Sequence, residues 1–413
     1  MRMTAIPFPR ITARNPRSDV RYLTPDLPGS WHRFFDTSPV SPSGRYLAVT
    51  SFPFEDRSPY HGEPAEAAVI DLEQGKTVMR TSTRGWDTQL GAQCQWGTTD
   101  HELYYNDMDP DDWKPYGIKT DPLSGAMEKL EGTVYMVSPD GGFALSPDLR
   151  RMGFTQSGYG VRVPPSRIPL LPGAPETDGI WITRTRTGKT ELLLPLSEIA
   201  AALGREIEPC SPDSGDFYCF HLKWNPQQTR IMAVIRFRPW GTGGARIFLV
   251  TLKPDGSDLR MSLPPSVWGP LRGHHPQWHP DGEHIIMNLA LEGNGNGLRF
   301  VQFRYDGRER KVLVPGATGS GHPSIHPGGK YLLTDWYEYE SPYSDGTTAV
   351  RWINLRDGTE TELARIPASP GFTGPLMERR VDPHPVFTPD GGKAVFNGCY
   401  QGVRGVFSVE LSL

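Results

Sequence analysis

Long hydrophobic runs are missing from this chain: nothing in its 413 residues approaches the ~20 apolar residues that a membrane-spanning helix needs. Cysteine is scarce, and Cys94, Cys210, Cys219 and Cys399 show no metal-like CxxC spacing. The first thirty residues are polar and Pro-rich with no apolar core, so no signal peptide is expected. The cysteines then read as reduced thiols in a cytoplasmic protein, a Cys210–Cys219 pair being the alternative if a leader had been lost. Strong net charge is absent too, and a balance of -4 argues against a general nucleic-acid binder. What the chain has in quantity is 45 glycines and 41 prolines, which suits many short strands joined by tight turns. The length would hold two or three ordinary domains, or one large β-barrel or propeller.

An internal repeat decides between these. The stretch His275-Pro276-Gln277-Trp278-His279-Pro280-Asp281-Gly282 recurs from His322, from His384 and, degenerately, from His221. The same eight-residue pattern can be laid from Thr37, Gln93 and Gly142, which makes seven copies. Each is followed by a short apolar strand: Arg45–Thr50, Glu102–Asn106, Arg151–Thr155, Arg230–Ile235, His284–Leu289, Lys330–Asp335 and Lys393–Asn397. A third strand ending in a polar turn comes next in most copies, and then a short fourth. The seventh copy lacks a fourth strand because the chain ends, whereas Val20–Pro25 looks like a fourth strand with no copy before it. The expected fold is therefore all-β: one seven-bladed propeller over residues 1–413, closed by an N-terminal strand that completes the last blade, 384–413.

That geometry puts the first residue of the pattern at the start of each inner strand, beside the central channel. The long links Ser51–Glu66, Gln156–Asp178, Ser197–Phe220, Trp336–Thr348 and Ala368–Asp382 fall on the same face. Histidine fills that first position in four copies of seven, which chance would manage about once in ten thousand with 11 histidines available. It could be a strand-start hydrogen-bonding group duplicated with the repeat. The sharper expectation is that His275, His322 and His384 converge as ligands of a divalent metal, Mn or Zn rather than Ca, with His221 beside them as base or fourth ligand. His279 and His326 fall four residues further along the strand, ~13 Å away, and are expected to be structural. The loops of that face are rich in Arg and aromatic residues: Tyr159 and Arg162, then Arg236, Arg238 and Trp240, then Trp336, Tyr337 and Tyr339, then Arg379 and Arg380. Guanidinium groups fork carboxylates and flat rings stack on pyranoses, so an acidic oligosaccharide is the expected ligand.

The stretch Asp382-Pro383-His384-Pro385-Val386-Phe387-Thr388-Pro389-Asp390 resembles the HPHPSFTPD motif of the oligogalacturonate lyases, seven-bladed propellers among the polysaccharide lyases. His32-Arg33 resembles their HR motif, which implies a substrate-binding role for both residues. His275 and His322 fall where that family has metal-ligand histidines, and His221 where it has a histidine implicated as base. Asp382 stands where the family has the first histidine of its motif, and Arg379 near its glutamine ligand. The Ser157–Arg162 segment is more similar to the ulvan-lyase-type propellers, in which a tyrosine and a histidine carry the elimination.

Together these readings predict a lyase that cuts uronate-containing glycans by β-elimination. His221 would take the C5 proton, Tyr159 or a water would protonate the leaving oxygen, and Arg162 or Arg236 would clamp the carboxylate. His32, Arg33, Arg379, Trp336 and Tyr337 would bind substrate. Neither a nucleic-acid nor a membrane partner is expected, and the protein would be a monomer or homodimer. Two rivals stay open: a non-catalytic propeller that binds a protein or glycan, and a glycoside hydrolase using carboxylates among Asp335, Glu338 and Glu340.

Overall fold

The computed structural model describes residues 8–27, 29–241, 243–291, 297–337, 339–371 and 375–412. Glu338, one of the carboxylates considered above, lies outside the described residues. The strands form seven four-stranded antiparallel sheets, each built from consecutive strands of the chain save one. The exception is the last blade, where Arg21–Tyr22 pairs with Val403–Glu410 and supplies the missing outer strand. That pairing closes the ring and covers a sheet edge that would otherwise stay open.

Two-residue periodicity shows why the blades stack. In the third strand of the first blade, Ala67 and Val69 pack with Trp96 and Tyr105 of the next blade. Their neighbours Ala68 and Ile70 point the other way, toward Val395 and Val406 of the last blade. The sixth blade repeats this. Val350 and Trp352 meet Phe396 and Phe407 on one side, while Ile353 meets Ile286 and Phe300 on the other. Strands apolar on both faces are what a ring of stacked sheets demands, because no blade has a solvent face except at the rim.

The inner strands run Ser30–Trp31, Gln95–Trp96, Met136–Val137, Gly215–Trp224, Gly273–Trp278, Ser324–Ile325 and Val386–Phe387. The third corrects the sequence reading. The pattern laid from Gly142 is in fact the second strand, Phe143–Ser146, and Arg151–Thr155 falls at a short helix, Met152–Thr155. The true turn is Ser138-Pro139-Asp140-Gly141, closed by Gly141 N–H donating to Ser138 O at 2.8 Å. Pro147-Asp148 imitates that turn one hairpin later, so the reading slipped by one strand. The consequence is local but chemical: Val134, not Gly142, holds the first position of the pattern in this blade, and its neighbour Tyr135 reaches His221.

In the first blade the ladder is interrupted. Trp31 pairs with Thr50 and Val40 with Leu47, and residues 32–39 leave the sheet between them. This excursion enters the channel and buries His32, Arg33, Phe34 and Phe35 at no more than 1% exposure. All four cysteines are buried, and Cys210 and Cys219 are free thiols that form no bridge with each other. Among the described residues no helix is long and apolar enough to cross a membrane.

Candidate functional site

Backbone irregularities aim the histidines inward. His221 and His275 each sit where the ladder between the first and second strand of the blade slips register. His275 (φ 57°) and His384 (φ 45°) adopt left-handed backbone, which is costly for a residue with a Cβ and is held by the surrounding structure. Before His322, Gly321 does the equivalent job: a Cβ there would lie 2.2 Å from Asp335 O. Left-handed backbone at the first position in two blades and one residue before it in the third turns three imidazoles toward one point. The His275 and His322 rings stack at 3.9 Å between centroids, and His322 and His384 meet edge to face at 4.4 Å. The excursion supplies the floor: Phe34 stacks on His221 at 5.0 Å and sets its edge to His275, His322 and His384.

His322, Asp382 and His384 each offer one donor atom, and these atoms all lie within 4.8 Å of one another. Asp335 accepts from His322 Nδ1 at 2.9 Å and from the His322 backbone N–H at 2.7 Å, so Nε2 keeps its lone pair. That Nε2 and both His384 ring nitrogens are buried with no hydrogen-bond partner among the described residues. Asp382 is pushed up to about 6 by burial against the pull of Arg380, whose guanidinium meets it at 2.7 Å. Burial first, and neighbouring imidazoles or cations second, hold His221, His275, His322 and His384 well below the ordinary histidine range. Neutral imidazoles with idle lone pairs beside a carboxylate are a donor set that fits a divalent transition metal.

The expected trio was His275, His322 and His384, and the structure brings Asp382 into the tightest group instead. His275 Nδ1 faces Gly321 O at 2.7 Å and its Nε2 accepts from the Tyr337 hydroxyl at 2.8 Å, so both nitrogens have partners.

Beside the group lies a cavity of about 90 Å³, lined by His221, Tyr159, Arg236, Gln156, His275 and Tyr337 among others. The expected catalytic residues divide here. His221 is present, with Nδ1 against the Tyr135 hydroxyl. Tyr159 is present as well, its phenol raised well above the ordinary range by burial. Arg236 donates to Gln156 Oε1 at 2.5 Å and Thr155 O at 3.1 Å; burial lowers it to about 10, which leaves it charged at neutral pH. Arg162 is elsewhere, paired with Glu378 at 2.8 Å and donating to Pro59 O at 2.9 Å.

The expected substrate contacts divide as well. Only Tyr337 lines the cavity. His32 and Arg33 are sealed below the ring, where Arg33 binds Asp36 at 2.6 Å, Gln93 at 3.0 Å and Tyr135 O at 2.9 Å. Trp336 lies under the Arg351 guanidinium at 3.8 Å. Arg379 reaches Ser369 Oγ at 3.4 Å. The carboxylates weighed for hydrolysis are engaged, Asp335 with His322 and Glu340 with the Ser320 hydroxyl.

The sequence offered Asp335 only as a hydrolysis carboxylate and Arg380 only as one of the loop arginines, and it did not single out Tyr135, Asp36 or Lys223. Lys223 extends below His221, meets Asp36 at 3.2 Å and donates to Pro276 O at 3.0 Å, and burial draws it down to about 8 against the pull of Asp36. A periodic clue existed for this residue alone, since it stands two positions after His221 and so shares its face of the strand.

No protein-family model matches the chain, and no curated protein matches it either. Solved structures do. An oligogalacturonate lyase from Vibrio parahaemolyticus is 12% identical with a TM-score of 0.65, over 98% of this chain and 96% of that one. An oligogalacturonate lyase in complex with manganese is 15% identical with a TM-score of 0.62, over 98% and 97%. The β-propeller domain of the Trilobed protease from Pyrococcus furiosus is 9% identical with a TM-score of 0.53, over 92% and 96%. What these share with this chain is the propeller fold.

Proposed function

We propose that the protein is a lyase that cleaves uronate-containing oligosaccharides by β-elimination. The observation that carries the proposal is the group of buried, partnerless nitrogens of His322 and His384 next to Asp382, opening beside a cavity that holds a neutral histidine, a phenol and an arginine. In this reading His322, His384 and Asp382 hold a divalent ion, Mn or Zn rather than Ca because two of the donors are imidazoles. Bound there, the ion supplies a Lewis acid that eases the negative charge developing at C5. His275 stands beside them as the third imidazole, and metal titration of His275→Ala decides whether it joins the set.

The chain's own groups do the rest. Arg236 clamps the C6 carboxylate and fixes the ring. His221, kept neutral by burial and by the nearby cations Lys223 and Arg236, accepts the C5 proton. The electron pair forms the C4–C5 double bond as the C4–O bond breaks. Tyr159, kept protonated by burial, donates to the departing oxygen. Arg162 takes no part in this sequence, because Glu378 holds it. Arg380 and Asp335 orient Asp382 and His322. The oligogalacturonate lyases of the same fold point to uronate as the substrate class, and the four buried thiols suit the cytoplasm.

Purified protein reconstituted with Mn and incubated with pectin, ulvan and glucuronan fragments should produce the ultraviolet absorbance of a C4–C5 unsaturated uronate. A saturated product, or no absorbance across the whole panel, would count decisively against elimination.

A further inference from the structure

The proposed acid is held by very little of its own chain. Tyr159 stands between Gly158 (φ 89°) and Gly160 (φ 78°), both in left-handed backbone. Glycine is obligatory at 160, where a Cβ would lie 2.2 Å from Leu149 O. A residue flanked by two glycines inherits no fixed place from local preference, so its place has to come from contacts outside the loop. The ring has such contacts, lying 5.2 Å from Phe220 and edge-on to His221 at 5.8 Å between centroids.

The backbone on either side of Tyr159 is gripped from another blade. Residues 84–94 link the first blade to the second, and within them Asp87 and Gly91 exchange backbone hydrogen bonds at 3.1 Å to close a turn. The Ala92 N–H anchors that turn on Thr50 Oγ1 of the first blade at 2.8 Å. From this base Asp87 Oδ2 accepts the Gly160 N–H at 2.9 Å, and the Thr88 hydroxyl donates to Gly158 O at 3.3 Å. The same turn reaches the metal group, because Gln89 Oε1 accepts from Arg380 at 3.2 Å and Arg380 pairs with Asp382.

The carboxylate at 87 is more than its own turn needs. Oδ1 alone accepts the Gln89 N–H at 2.9 Å and the Leu90 N–H at 2.6 Å. An asparagine would close that turn equally well and carry no charge into the interior. Asp87 is buried, and burial raises it to about 7 against its N–H donors and the charge of Arg33. What aspartate adds over asparagine is a second acceptor, Oδ2, and that oxygen faces Gly160.

On the lyase reading above, we infer that Asp87 is a positioning residue for the elimination, holding the Gly158–Gly160 loop so that the Tyr159 hydroxyl meets the departing C4 oxygen. Asp87 touches no substrate in this scheme. Its effect runs through Tyr159 and is felt only where the Tyr159 proton is needed.

Two substrates separate that role from a merely structural one. In an oligosaccharide the leaving C4 oxygen would depart as an alkoxide and needs the proton, whereas a uronate carrying a 4-nitrophenoxy group at C4 releases a stable anion without it. With full-length, Mn-loaded protein, Asp87→Asn should lower kcat on the oligosaccharide by about ten- to a hundredfold with KM within about twofold. On the 4-nitrophenoxy substrate it should stay within about threefold of the unsubstituted protein. Tyr159→Phe should show the same split more strongly. Thr88→Val, which keeps the carboxylate, should show it at about threefold, and Thr88→Ser should restore the rate. Should Asp87→Asn not fold, the two Thr88 variants carry the same test. Hydrogen exchange read by mass spectrometry, which needs no activity, should rise across residues 156–163 in Asp87→Asn and Thr88→Val. Equal losses on the two substrates, unchanged kinetics on the oligosaccharide, loss of Mn, or unchanged exchange across 156–163 would each overturn the positioning role. If the unsubstituted protein eliminated from neither substrate, the lyase reading would fall and the role of Asp87 with it, while the exchange would still report whether the grip exists.

Discussion

Histidine stands at both ends of the inner strands, and the two ends treat it differently. At the Pro-Asp-Gly end, His326 Nδ1 accepts the Gly328 N–H at 3.0 Å and its Nε2 faces Gly391 O at 3.2 Å, while His279 Nδ1 accepts the Asp281 N–H at 3.1 Å. At the channel end, His322 Nε2 and both His384 nitrogens are buried without a hydrogen-bond partner among the described residues. An imidazole nitrogen buried and unpaired costs free energy, on the order of 1–3 kcal/mol, unless something not part of the fold satisfies it. One residue type in one repeated motif thus serves architecture at one end and, in the proposed function, chemistry at the other.

The largest effect is expected at His221, where alanine should lower kcat on uronate oligosaccharides by about a hundred- to ten-thousandfold with metal content unchanged, read by steady-state kinetics beside elemental analysis. Next come Asp382→Ala and His384→Ala, which should empty the metal site and reduce activity by about two to three orders of magnitude. If His326→Ala emptied it as well, the two ends would not differ as argued. Asp335→Asn removes the acceptor that orients His322, and a competition titration should find metal affinity about ten- to a hundredfold weaker, with the fold intact.

The buried, partnerless histidines also predict a pH dependence of stability. Burial, aided by Arg33, lowers His32 from 6.5 to about 3. Because the folded value lies below the unfolded one, the unfolded chain binds the proton first as the pH falls. The contribution of His32 to stability is therefore complete above pH ~6.5 and is lost progressively toward pH ~3. Urea midpoints of the metal-free protein should fall across that window, and less steeply in His32→Leu. The smallest effect is expected at the turn end, where His279→Gln or His326→Gln should cost about 1 kcal/mol in chemical denaturation and leave metal and activity alone.

Much of the fold was legible because its signals are local. Short apolar runs mark the strands, and Pro-Asp-Gly or a variant of it closes most first hairpins, so seven copies and the displaced outer strand could be counted. The one slip, in the third blade, came from Pro147-Asp148 imitating the turn that Pro139-Asp140-Gly141 makes. The site was legible in part. Histidine in one column of the repeat is visible in the sequence, and those histidines do gather around one point. Asp382 looked like the loss of a motif histidine, yet a carboxylate at that position is itself a ligand type, and it joins His322 and His384. Arg162 looked free to reach a substrate, but its partner Glu378 is 216 residues away in the chain. The excursion that floors the site has no local signature either, because residues 32–39 interrupt a strand whose ends still pair as usual.

By itself, then, the sequence determined the number of blades, the closure by a strand within residues 20–25, and the face and channel end at which the informative histidines would stand. These follow from periodicity and turn chemistry, which act over a few residues. Only the tertiary structure decided which nitrogens find partners, which carboxylate joins them and which arginines are spent on holding loops. Those outcomes depend on contacts between blades far apart in the chain, where a few ångströms separate a hydrogen-bonded side chain from an unpaired one.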